Sequence, residues 1–371
     1  MKIEHFKMER MQSEWENVVT YNLSESGVHP IAFKELVNQD ELEDILNTKL
    51  GYIQTNGTPE LREEVSKIYP GTNIDNILIT SGSAEANFLL MWSNIEPGDE
   101  VILMLPNYMQ IWGLTRAFGA NLKTFFLREN LDWNPDPDEL KSLITKKTKI
   151  IAITNPNNPT GGQLSEEARQ TIIELAEKAD AWIFADEVYQ GAELDGNTTP
   201  SFWGTYKKVA VTCGLSKAYG LPGLRTGWIV APEEFIQKTW PYHDYTTISL
   251  SKVSDRLSRI VLSPEKRIKI LERTRKIVRT NFAILESWFK KQEGLFHCVP
   301  PKAGAIAYPR YNLNINSTDF IKKLLHEKNV LLIPGDHFEM DHYIRFGFGE
   351  EKEYLLKALD LVEEAIKEII S

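Results

Sequence analysis

The chain has 371 residues, 42% hydrophobic and 25% charged, which is ordinary for a globular protein and long enough for two domains with sizeable cores. A net charge of −10, with Lys and Arg mixed among Asp and Glu, offers no basic patch for nucleic acid, and no apolar run approaches the roughly 18 residues that read as a membrane span. Cys213 and Cys298 make no disulfide framework and the N-terminus is too charged for a signal peptide, so a cytoplasmic protein is expected.

Residues 1 to 30 are polar at first and then pass through Tyr21-Asn-Leu-Ser-Glu-Ser-Gly27-Val-His-Pro30, a turn-rich stretch. Gly51-Tyr52 leads to Pro59 at a predicted helix start, with a charged amphipathic run behind it. Asn76 to Thr80 reads as a strand, Ser81 to Glu85 as a turn, and Ala86 to Trp92 as the helix that the turn opens. The free N–H groups around Ser83, Ala84 and Glu85, with the positive end of the helix dipole, make a phosphate cradle.

A second strand, Glu100 to Leu105, runs into Leu105-Pro-Asn-Tyr108, whose ring either stacks on a planar heterocycle or packs in the core. Lys149 to Thr154 is an apolar strand followed by Asn155-Pro-Asn-Asn158-Pro-Thr-Gly161-Gly162, a loop stiffened by two prolines. Ser165 caps the next helix, and the strand Ala181 to Ala185 ends in Asp186-Glu-Val-Tyr189.

The run Lys208 to Thr212 is a predicted buried strand closed by Cys213-Gly214, which puts Lys217 just past a C-terminal strand end, where open α/β sheets bind ligands. Taken alone, Lys217 reads as a solvated surface lysine. In the second reading it is an amine nucleophile toward a carbonyl compound, given surroundings that lower its pKa. Gly220, Gly223 and Gly227 permit tight turns beside it, and Arg225 is placed to hold an anion bidentately. Five strands thus deliver Ser83, Tyr108, Asn158, Asp186 and Lys217 to what should be one edge of one sheet.

Further on, Trp240 to Thr247 is aromatic and turn-like, a predicted pocket lip with His243 and Tyr245 as candidate acids. Ser263 and Pro264 open a long helix whose expected apolar face is Ile268, Leu271, Val278, Phe282, Leu285 and Phe289, broken at Arg275. Short strands and helices alternate after it, and the Asp336 to His342 loop has no zinc or calcium spacing. No P-loop and no dinucleotide-binding glycine pattern is present.

Gly214-Leu-Ser216-Lys217-Ala-Tyr-Gly220-Leu-Pro-Gly223-Leu-Arg225-Thr-Gly227 resembles the lysine motif of class I/II aminotransferases. The likeness runs from about Gly51 to Gly349. Tyr52 to Arg62 is similar to the family's Y-x-x-x-x-G-x-x-x-L-R segment, Asn155 to Gly161 to N-P-x-N-P-T-G, and Asp186 to Tyr189 to D-E-x-Y. Two departures are Thr226, where a plain aliphatic is usual, and Gly214, where many members carry a phosphate-binding serine.

The resemblance implies a fold-type I, pyridoxal-phosphate-dependent transferase of the α/β class. A large domain with a mostly parallel sheet would span 38–260, and a smaller α+β domain would combine 261–371 with the N-terminal arm, 1–37. It implies pyridoxal 5′-phosphate (PLP) held on Lys217 as a Schiff base, with Ser83, Ala84, Glu85, Ser216 and Arg225 at its phosphate. Tyr108 would lie over the ring, Asn158 and Tyr189 would meet its phenolic oxygen, and Asp186 would keep the ring nitrogen protonated. Tyr52 would reach the phosphate of the neighbouring subunit in a homodimer. Arg345 would bind the substrate α-carboxylate through a two-point salt bridge, with Asn158 and Gly27 beside it. The implied reaction is transamination between an amino acid and a 2-keto acid. The same residues serve a β-lyase or a cyclising enzyme, and an aminotransferase-like ligand-sensing domain is the remote alternative, since few residues precede Gly51 for a DNA-binding unit.

Overall fold

The computed structural model describes residues 2–292 and 294–370. Strands Ile77–Thr80 (β1), Glu100–Leu105 (β2), Asn121–Arg128 (β3), Asn134–Pro135 (β4), Thr148–Thr154 (β5), Trp182–Asp186 (β6), Val209–Gly214 (β7) and Gly227–Val230 (β8) form one sheet in the order β1-β8-β7-β6-β5-β2-β3-β4. The run β7-β6-β5-β2-β3 is parallel, whereas β8 is antiparallel to both its neighbours and β4 to β3. Because β8 alone reverses between β1 and β7, the C-terminal ends of β1, β7, β6, β5 and β2 fall on one edge.

Continuous apolar runs explain why these segments sit in the middle of a parallel sheet: every residue of β2 and of β7 is buried. Alternate side chains feed two cores. Ile102, Met104, Ile151, Ile153 and Ile183 pack on one face, and Val101, Leu103, Ile150, Ala152 and Phe184 on the other. Adjacent strand ends are in register, with Thr154 opposite Asp186 and Asp186 opposite Thr212.

The C-terminal elements build a third core around Phe289, Phe296, Phe320, Phe346 and Val362, over a small antiparallel sheet in which Ile344–Gly347 lies between Ile306–Ala307 and Ile333–Pro334. The N-terminal arm belongs with this part. Tyr21–Asn22 pairs in parallel with Val330–Leu331, Gly347 N–H donates to Leu23 O at 2.7 Å, and His29 N–H donates to Gly349 O at 2.9 Å. Among the described residues no helix is long and apolar enough to cross a membrane.

Three sequence expectations need correction. The helix after β1 starts at Ser83, not Ala86, because Gly82 at φ +89° turns the chain directly into it and Glu85 accepts from Ser81 N–H at 2.5 Å. Trp240 to His243 is not a pocket lip but the end of the helix Glu233–His243, tied to the loop before Pro59. There Trp240 Nε1 donates to Thr55 Oγ1 at 2.8 Å and the His243 ring bonds Thr55 O at 2.9 Å. The long helix, Pro264–Lys291, buries Ile270, Thr274, Val278, Asn281 and Leu285 and leaves Ile268 54% exposed. Its inward stripe includes polar residues that an apolar count passes over: Asn281 Nδ2 donates to the carbonyls of Phe348 (2.7 Å) and Glu350 (2.6 Å).

Candidate active site

A cavity of about 270 Å³ opens at the C-terminal edge of the sheet. Ser83, Tyr108, Asn158, Asp186 and Lys217, each at or just past the end of a different strand, line it together with Tyr189. Ala84, Ser216, Arg225 and Arg345 complete the predicted set found there, and the arm and first helix close the remaining side. A wider hollow of about 860 Å³ near Trp203 and Pro232 lies at the opposite edge and contains none of these motif residues.

At one end of the cavity, glycines let cationic and N–H groups crowd together. A Cβ on Gly82 would come within 2.7 Å of Arg225 Nη2, and one on Gly227 within 2.5 Å of Ser83 N. Gly214 is opposite Gly227 in the β7–β8 ladder, and a Cβ there would meet Thr226 O at 2.8 Å, so close backbone packing accounts for the missing side chain. Arg225 sits beside the N-terminus of the helix Ser83–Asn94, donates to Pro222 O at 3.1 Å and pairs with no carboxylate among the described residues. A cation at a helix N-terminus fits a phosphate. The Glu85 side chain does not line this cradle. Its carboxylate turns away to Ser81 N–H, Thr247 and His243, where burial would raise its pKa but the His243, Thr246 and Ser81 hydrogen bonds bring it down to about 2. The fully buried His243 likewise lies outside the cavity, as does the exposed Tyr245, so neither is an acid for a leaving group in the cavity of its own chain.

Asp186 is fixed by two donors, Asn87 Nδ2 at 2.9 Å and Val188 N–H at 3.1 Å, and Asn87 Oδ1 accepts in turn from Thr212 at 2.8 Å. Burial pushes the Asp186 carboxyl up, against these hydrogen bonds and the more distant Lys217 charge. A carboxylate held in this way fits a protonated ring nitrogen. Tyr108 O–H donates to Glu9 (2.8 Å) with its ring packed edge-on to Phe6, and Tyr189 O–H donates to Ser26 Oγ (2.9 Å).

Arg345, 1% exposed, donates from Nη1 to Asn158 Oδ1 at 2.9 Å and from Nη2 to Ser24 O, while its Nε has no partner. Burial lowers its pKa, and no carboxylate is bonded to it. A buried guanidinium that lines a cavity and has no carboxylate partner among the described residues suits an incoming carboxylate.

Lys217 Nζ donates to Glu25 Oε1 at 2.6 Å, and the same oxygen accepts from the N–H groups of Ser26 and Gly27, both at 2.9 Å. The sequence reading asked for surroundings that lower the lysine pKa. They do the reverse: burial is the largest influence and favours the neutral amine, but the Glu25 charge, Tyr189 and the Glu25 hydrogen bond together raise the pKa. Glu25 shows the mirror image, with burial overcome by Lys217 and the Gly27 N–H so that its pKa falls to about 2. Gly27 does not line the cavity but backs the lysine, since a Cβ there would lie 3.4 Å from Lys217 Cα. Tyr52 is 86% exposed and away from the cavity of its own chain.

Glu25, Glu9, Ser24 and Asn87 were missed from sequence. Gly27, expected beside the substrate, is two residues after Glu25 in the same arm, and Asn87 lies one helical turn after Ser83 on the face toward the sheet.

The family model described as aminotransferase class I and II matches residues 22–361. The chain belongs to this family. Its fold is that of a PLP-dependent aminotransferase from Streptococcus suis 89-1591, with 33% identity, a TM-score of 0.94 and coverage of 100% of this chain and 99% of the other. The PLP-dependent cyclase OrfR is similar at 26% identity and a TM-score of 0.90, covering 99% and 98% of the two chains. Aspartate aminotransferase of Pyrococcus horikoshii is 29% identical over 85% of this chain and 83% of its own. Membership makes PLP the cofactor and fold-type I the architecture.

Proposed function

We propose that this aminotransferase-family enzyme carries out PLP-dependent transamination between an amino acid and a 2-keto acid, with Lys217 as the residue that carries the cofactor and moves the proton. The convergence of Lys217, Asp186, Arg225 and Arg345 on one cavity carries the reading. When bound, the cofactor supplies an electron-withdrawing ring that stabilises negative charge at the substrate α-carbon.

Each end of the cavity has a task. Arg225, Ser216 and the N–H groups at Ser83 and Ala84 would hold the phosphate; Asp186, oriented by Asn87, would keep the ring nitrogen protonated; Tyr108 would lie against the ring. The Asn158 amide and the Tyr189 hydroxyl orient the phenolic oxygen. Arg345 binds the α-carboxylate, which presents the α-hydrogen to Lys217 Nζ. With PLP bound, Nζ in its neutral form would take that proton as general base and give it back as general acid. The lysine must shed its proton first, and Glu25 is the carboxylate beside it. The exposed Tyr52 supports a homodimer in which that hydroxyl reaches the partner's phosphate.

Elimination or cyclisation at the same α-carbon is the second reading, favoured by the likeness to the cyclase OrfR. Incubating the loaded enzyme with single amino acids and no keto acid separates the two. Stoichiometric conversion of the cofactor to its amine form, with release of one equivalent of keto acid, is expected; continuous product release with the starting absorbance band retained would overturn transamination.

A further inference from the structure

With Arg345 assigned to a carboxylate, Arg225 to a phosphate and Asp186 to a ring nitrogen, the charges left on the cavity wall beside Lys217 are Glu9, Glu16 and Glu25. All three are acidic, and all come from the N-terminal 25 residues. Glu9 has a neutral partner in the Tyr108 hydroxyl at 2.8 Å, and Glu16 pairs with no cation among the described residues. Glu25 is bound to Lys217 Nζ at 2.6 Å. In the proposed reaction that ammonium is used up, because Nζ must be neutral to take a proton. Glu25 then keeps two N–H donors and, for countercharge, only the Arg345 guanidinium, to which it is not bonded and which is itself assigned to the α-carboxylate.

We propose that the cavity takes amino acids with a cationic side chain, a guanidinium or an alkylammonium, and that Glu25 is the specificity-determining residue, with Glu16 and Glu9 completing an acidic wall. The inference rests on the function proposed above. An observation independent of the acids marks the other end of the ligand: Arg345 is 1% exposed, lines the same cavity and pairs with no carboxylate among the described residues, which suits it to an α-carboxylate. The arm couples the two charges directly, since Arg345 donates to the carbonyl of Ser24, the residue before Glu25. Mutual repulsion within the wall is already felt at Glu16, whose pKa is raised by burial and then by Glu25 and Glu9. A substrate cation would relieve it.

The test uses the PLP-loaded enzyme and two carboxylates that lack an α-amino group and so cannot react, 5-guanidinopentanoate and hexanoate, compared by titration calorimetry. The guanidino compound should bind at least about tenfold more tightly, as expected for pairing a desolvated carboxylate. Glu25→Gln should cut that preference below about threefold, and Glu16→Gln should narrow it in part, which guards against a Glu25 variant that merely disturbs Lys217. Tighter or equal binding of hexanoate, or a preference intact in both variants, would overturn the proposal. A parallel absorbance screen with arginine, lysine, citrulline and norleucine separates the two levels of inference. A band that answers citrulline as strongly as arginine defeats the substrate class alone. A band that answers no amino acid, with the carboxylate preference present, defeats the reaction and leaves the cation site standing.

Discussion

Asn87 Nδ2 donates to Asp186 Oδ2 at 2.9 Å, so the helix whose first turn forms the proposed phosphate cradle also holds the carboxylate of Asp186 in the cavity wall. Removing that donor takes away a bond that favours the ionised acid, and the Asp186 pKa, already raised by burial, rises further. Activity that needs the carboxylate is present above its pKa and lost as pH falls through it. In Asn87→Ala the acid limb of the kcat profile should therefore move to higher pH, with kcat at neutral pH down by about tenfold, one charge-assisted hydrogen bond's worth. An unmoved acid limb would mean that Asn87 does not act through Asp186.

Lys217→Ala should bind cofactor without a covalent link. Borohydride then fixes nothing to the chain, and the turnover rate drops by at least about 10²–10⁴-fold, the range for a lost general base. Peptide mapping of the reduced wild type checks the residue, and label on any other lysine would count against the assignment.

Arg225→Ala removes the cation from the phosphate end, where no side chain at 214 can substitute for it. Cofactor affinity should weaken by about 1.5–3 kcal/mol, roughly ten- to hundredfold, measured by equilibrium titration of the cofactor-free protein. Unchanged affinity would put the phosphate elsewhere.

The homodimer proposal predicts that sedimentation gives twice the chain mass and that Tyr52→Phe weakens cofactor binding by about 1 kcal/mol. A monomer with full cofactor affinity would remove the role of Tyr52.

Glu187, between the two motif residues Asp186 and Val188, is 1% exposed, accepts from Phe202 N–H at 2.7 Å and leaves Oε2 without a partner. Burial pushes its pKa from 4.5 up to about 7. The folded protein therefore keeps a proton that the unfolded chain has lost, and the associated stability, full below pH 4.5, is lost as pH rises through about 7. Glu187→Gln should be the more stable protein at pH 8, by up to about 3 kcal/mol, with little difference at pH 4.5. Urea unfolding at the two pH values reads this directly, and equal midpoints at pH 8 would contradict it.

The fold and the sheet-edge convergence were legible in the sequence because both depend on local signals. Apolar runs mark the strands, and the Ser83, Tyr108, Asn158, Asp186 and Lys217 motifs each sit just beyond one. What was not legible depends on pairing between distant segments. The partner of Lys217 is Glu25, 192 positions earlier, in an arm whose short strand reveals little by periodicity. His243 looked like a pocket residue because aromatic, turn-like composition does not distinguish a loop from a helix end, and its tie to Thr55 settles the matter only in three dimensions. The long helix was misphased at Ile268 because polar Thr274 and Asn281 point inward, the latter bonded to backbone carbonyls.

The arm meets the segment Ile344–Gly349 backbone to backbone: a Cβ on Gly347 would fall 2.1 Å from Glu25 O, and one on Gly349 2.0 Å from Gly27 O. Glu25 and Arg345 are consequently parts of one rigid piece, while Lys217 and Asp186 are anchored to the large sheet. The Lys217–Glu25 bond is a tether between the two. Chemistry that consumes the lysine ammonium thus removes one tie between them and leaves the Tyr189–Ser26 and Arg345–Asn158 bonds in place, so the seating of the arm beside Arg345 feels the charge state of a lysine on the other piece.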